Sequence, residues 1–172
     1  MLIGIDRINK ILTDFLQECG YDDIRVKEDT DFCYYPVTQV IGYSFLCPQR
    51  DNDLFLEFIK DLKPLVTFDI FLWSFLHELG HYETYDDLDE DELAYSFDVK
   101  MRLQKLYVVD NQYYNQNVST IFKEYFSLPD EYAATTWAVN FANKNIDKLW
   151  SLWNKLQPAI MNFYTMNNIV ED

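Results

Sequence analysis

"FDIFLWSFLHELGHY", residues 68–82, places Leu72, Phe75, Leu76 and Leu79 at the spacing of one helical face. With Thr67 as its N-cap, the pattern predicts a helix running through Tyr82. That helix carries His77 and His81, the only two histidines among 172 residues. Side chains four apart stack on one helical face, so two imidazoles can converge on one ion, while the residue at i+1, Glu78, points at the ion's open side. Gly80 leaves room there for another backbone to pass closely. Two neutral imidazole nitrogens and one carboxylate form the donor set that zinc favours. They leave a fourth position for water, whose proton Glu78 would accept.

Taken alone, H-E-x-x-H also describes a surface pair of histidines on an ordinary helix, so the reading turns on a third ligand. The stretch "SLPDEYAATTWAVNFAN", residues 127–143, offers one. Ser127 and Asp130 read as a capping box, Pro129 suits a first turn, and Glu131 opens the helix. Glu131, Ala134, Ala138 and Phe141 share a face, with alanines small enough to press against the histidine helix. A carboxylate on such a face needs a partner. It is otherwise a solvated acid favoured by the helix dipole. "DELAYSF", residues 91–97, repeats the acid-x-x-Ala-x-x-aromatic pattern and makes Asp91 the competing ligand. It ranks behind Glu131, because ten residues beyond His81 leave little chain in which to end one helix and start another.

"HELGH" followed by "E-x-x-A-x-x-W-A" resembles the ImmA/IrrE-like family of metallopeptidases found in phages, mobile elements and their bacterial hosts. The resemblance implies zinc bound by His77, His81 and Glu131, with Glu78 as the general base. It also implies a small sheet ahead of the active-site helix, in which "VTQVIGYSF", residues 37–45, would be the strand that pairs with extended substrate.

Outward from these motifs, Ile5, Ile8, Leu12, Phe15 and Leu16 predict an amphipathic helix ended by Gly20. "IRVKE", "DFCYYP" and "VTQVIGYSF" carry β-branched and aromatic residues in rough alternation, with "EDTD" as a turn, and predict a small antiparallel sheet. Leu54, Phe55, Phe58, Ile59 and Leu62 restore the helical period until Pro64 closes it. Further helices are expected over residues 91–107, 117–126, 129–143 and 146–156, with Pro158 opening a last one. The fold class expected is α+β: a mainly helical, zincin-like single domain over residues 1–172, with the sheet preceding the HExxH helix.

Composition narrows the rest. A chain that is 49% hydrophobic and 17% aromatic, with four glycines and five prolines, has material for a sizeable core and no sign of a flexible linker. Cys19, Cys33 and Cys47 lack metal-knuckle spacing and are expected as reduced, mostly buried thiols. The N-terminal stretch has no signal-peptide pattern and no apolar run approaches a membrane span, so a cytoplasmic protein without membrane contact is expected. A net charge of −15 argues against direct nucleic-acid binding. Seven carboxylates between Glu83 and Glu92 read as a mobile, solvent-facing loop. The function expected is a zinc-dependent peptidase acting on a protein or peptide substrate. The alternative is an acidic binding or inhibitor protein, a DNA mimic among the options, whose metal site is structural or vestigial.

Overall fold

The structure, a computed structural model, describes residues 3–45 and 49–166. It is mainly helical, with one small mixed sheet. The elements are α1 (Ile3–Glu18), β1 (Arg25–Glu28), β2 (Cys33–Tyr35), β3 (Val40–Tyr43), α2 (Gln49–Asp61), α3 (Ile70–Thr84), α4 (Glu90–Val109), α5 (Asn111–Gln116), α6 (Val118–Phe126), α7 (Pro129–Lys144) and α8 (Ile146–Met166). They form two compact units, one from α1, the sheet and α8, the other from α2 through α7. No helix among the described residues is long and apolar enough to cross a membrane.

In the first unit, α1 packs along α8. Ile8, Leu12, Phe15 and Leu16 form its buried stripe. The helix ends as expected at Gly20, whose φ of 92° lets Gly20 N–H reach the Gln17 carbonyl and Tyr21 N–H reach that of Leu16. The three strands fall where the alternation put them, but their order is β1-β3-β2, and β1 runs parallel to β3. The sheet is therefore mixed rather than antiparallel.

The reason lies at "EDTD". Instead of turning tightly, this segment folds around the Asp29 carboxylate, which takes the Lys27 ammonium at 2.7 Å, Thr30 N–H at 2.8 Å and the Tyr35 hydroxyl at 2.9 Å. The chain thus passes over to the far side of β3, the most buried strand. With β1 on one edge and β2 on the other, β3 has no free edge over Val40–Gly42 with which to pair an extended substrate.

α8 does not break at Pro158. Leu149, Leu152, Leu156, Ala159 and Ile160 continue one buried stripe through it, and that burial outweighs the hydrogen bond that proline withholds. Cys19 and Cys33 are half-buried rather than buried, and Cys47 lies outside the described residues.

The second unit is built around α3. From Phe71 to Gly80 every residue but Ser74 is buried. Its N-cap is Asp69, not Thr67: the Asp69 carboxylate accepts Phe71 N–H at 2.8 Å. Carboxylates from Glu83 to Glu92 face solvent as expected, but the backbone is no loop. α3 continues to Thr84, a 3-10 turn covers Tyr85–Asp87, and Asp89 and Glu92 form a reciprocal capping box that starts α4 at Glu90. Val99 and Leu103 of α4 then cluster with Ile121 and Leu128. α5, which the pattern did not reveal, is a single short helix capped by Asp110.

Candidate metal centre

α3 and α7 meet where Gly80 has no side chain. A Cβ at Gly80 would lie 2.3 Å from the Ala134 carbonyl oxygen, so only glycine allows this approach. Glu131, Ala134, Thr135, Ala138, Val139 and Ala142 form the buried face of α7. Phe141, expected on that face, is half-buried and stacks on Trp137 instead.

The capping box expected at Ser127 does not form. The Ser127 hydroxyl donates back to the Lys123 carbonyl and closes α6, leaving Asp130 to pair with Lys100 of α4. Glu131 is 1% exposed and sits one turn before Thr135.

This packing brings His77, His81 and Glu131 together, with one ligand-type atom from each inside a 4.8 Å span. Glu131 Oε2 lies 3.0 Å from His77 Nε2, and Oε1 lies 3.6 Å from His81 Nε2. The two imidazoles are 4.7 Å apart and nearly perpendicular. Phe55 and Phe126 pack against His77 as an apolar wall. Asp91, the competing ligand, is exposed in the first turn of α4 and is not part of this group.

Hydrogen bonds around Thr135 fix the proton on His77. The Thr135 hydroxyl donates to the Glu131 backbone carbonyl at 2.7 Å. Its oxygen is then free to accept from His77 Nδ1–H, 2.9 Å away. With the Nδ1 position holding the proton, a neutral His77 turns an unprotonated Nε2 toward the Glu131 carboxylate, acceptor facing acceptor at 3.0 Å. A cation must lie between them, either a second proton or a metal ion.

Electrostatics show how strongly the imidazoles and the carboxylate depend on each other. Burial works to raise the Glu131 carboxyl, but hydrogen bonds and charge from His77 and His81 outweigh it and hold the group well below the usual carboxylate range. Burial works to lower His81, yet Glu131 and Glu78 outweigh that effect and the net shift is upward.

Three further groups surround the triad. Glu78 is 7% exposed, and its charge is felt at both His81 and Tyr125. Burial first, then the charges of Glu131 and Glu78, push the Tyr125 hydroxyl well above its ordinary value. Lys100 reaches Glu131 Oε1 and Asp130 Oδ2, both at 2.5 Å, and its ammonium stands 5.5 Å from the Tyr125 ring centre. Burial works to lower Lys100, but the two carboxylates outweigh it and the net shift is upward.

Sequence reading found His77, His81, Glu78 and Glu131 but not Thr135, Lys100, Asp130 or Tyr125. Of these, Thr135 had a visible signal: it lies four residues beyond Glu131, one turn along the same face. The donor set fits a divalent metal ion. Two imidazole nitrogens and a carboxylate oxygen are donors such an ion takes, and Asp130 and Glu131 set two carboxylates against the one ammonium of Lys100. Compared with protein-family models, curated proteins and solved structures, the chain matches none.

Proposed function

We propose that the chain is a zinc-dependent metallopeptidase that hydrolyses a peptide bond in a protein or peptide substrate. The observation that carries this reading is the convergence of His77, His81 and Glu131, with His77 Nε2 3.0 Å from Glu131 Oε2 while its Nδ1 lies 2.9 Å from the Thr135 hydroxyl. Zinc suits two imidazole nitrogens and a carboxylate, and neither Cys19 nor Cys33 belongs to the group. When bound, the ion supplies a Lewis acid that polarises a carbonyl and acidifies water.

The chain's own residues do the rest. Thr135 holds His77 in the tautomer that leaves Nε2 available. Glu78, beside His77 on α3 and close enough to act electrostatically on His81, takes a proton from the attacking water and passes it to the leaving amine. Tyr125, kept protonated by burial and then by the charges of Glu131 and Glu78, is a hydrogen-bond donor for the oxygen that gains charge as the carbonyl is attacked.

Two variants test base against ligand. Glu78→Gln retains the parent's zinc content and loses at least a hundredfold in hydrolysis, measured on a proteome-derived peptide library. Glu131→Gln loses zinc affinity itself, read by competition with a chromogenic chelator, because a neutral amide is a poorer ligand than a carboxylate. Hydrolysis that survives Glu78→Gln would overturn the assignment of Glu78 as the base.

A further inference from the structure

Lys100 has no role in holding a metal ion, yet it makes the closest contacts at the centre. Its ammonium lies 2.5 Å from Glu131 Oε1, the same oxygen that faces His81 Nε2 at 3.6 Å. A divalent cation held by His77, His81 and Glu131 would share that carboxylate with a fixed positive charge.

The lysine is also built into its place. Asp130, the residue before Glu131, holds it from the other side. The other carboxylate oxygen of Asp130, Oδ1, is buried without a hydrogen-bond partner, so Lys100 carries most of what compensates that group for its burial. The Tyr125 ring lies alongside the ammonium. α4 thus delivers one cation to a pair of consecutive acids on α7, one of which belongs to the candidate metal site.

We propose that Lys100 is an internal counter-ion that competes with the metal for Glu131, stabilising the pocket when it is empty and keeping the ion weakly held and exchangeable when it is bound. This inference rests on the metal reading above, and it assigns Lys100 as a positioning residue rather than a catalytic one. Two effects act together. The ammonium repels a nearby divalent cation, and it draws electron density from the carboxylate that would bind it. Removing the charge while keeping the length of the side chain releases both.

The test is zinc titration of the full chain by calorimetry, with melting followed in chelator and in excess zinc. Lys100→Met is expected to bind zinc at least tenfold more tightly than the parent. In chelator it melts at least 5 °C lower, because Glu131 and Asp130 lose their counter-ion, and zinc restores the loss. Lys100→Arg keeps the charge and is expected to bind zinc within threefold of the parent. Lys100→Gln, which keeps a hydrogen-bond donor without the charge, should follow Lys100→Met and serves if the methionine variant does not fold in chelator. Unchanged or weaker zinc binding in the uncharged variants, with a parent that binds, would overturn the competition and leave the metal reading standing. Absence of zinc binding in the parent and all three variants would overturn both.

Discussion

At the scale of single residues, Thr135 carries more of the site's chemistry than its size suggests. Its hydroxyl has one proton, spent on the Glu131 carbonyl, so its oxygen can serve His77 only as an acceptor. Thr135→Val keeps the shape and removes that acceptor, leaving His77 free to place its proton on Nε2, where it would block a metal ion. Zinc affinity in Thr135→Val is expected to fall ten- to a hundredfold, while Thr135→Ser stays near the parent; a fluorescent zinc-competition assay reads both.

The residues that supply donors were legible because their signal is local: His77, Glu78 and His81 sit within one helical turn, and Glu131 follows a proline that opens its helix. Partners that tune them were not. Thr135 meets His77 across 58 positions of sequence, and Lys100 meets Asp130 across 30. Nothing in a lysine halfway along a charged helix shows that a buried carboxylate waits opposite.

Between elements, the decisive contact is Gly80 against the backbone of Ala134. Main chain cannot give way as a flexible side chain can, so Gly80→Ala forces α3 and α7 apart and loosens the grip on Glu131. A stability loss of about 3 kcal/mol, at the upper end for an overpacked core, is expected in urea unfolding, with weakened zinc binding in the same variant. The need for a small residue at this crossing was visible in the sequence, as were the alanines facing it.

Strand order was a different matter. Alternation marks which segments are extended and which residues turn inward, but it says nothing about which strand becomes the centre, and the Asp29 crossing connects strands that a tight turn would have paired directly. Lys27, then the Thr30 amide and the Tyr35 hydroxyl, hold the Asp29 carboxyl down to about 2, against the ordinary value of 3.8. A folded-state pKa below the unfolded one stabilises the fold above the unfolded value and loses that contribution as pH falls through the folded one. The first unit is therefore expected to weaken between pH 3.8 and about 2, with Asp29→Asn removing that part of the acid response. Carboxyl-carbon NMR reads the midpoint directly: a titration of Asp29 near its ordinary value would contradict the crossing described here.

Across the whole molecule, composition set how much core the chain could bury but not how that core is divided. α7 and α8 follow each other with Asn145 between them, and both bury small and aliphatic residues. Yet α7 turns its alanines to the unit that holds the two histidines, while α8 gives its leucine stripe to the unit begun by α1 and the sheet. Local patterns record that a face is apolar, not which partner will cover it. The division bears on how the chain is made. The second unit is continuous in sequence, from α2 through α7, so its helices can meet one another without α8. α1 precedes that unit and its partner α8 follows it, so Ile8, Leu12 and Leu16 stay uncovered on the inner stripe of α1 until α8 has been made. A growing chain of this kind completes its histidine-bearing unit before α8 exists and carries an open, sticky helix until α8 arrives.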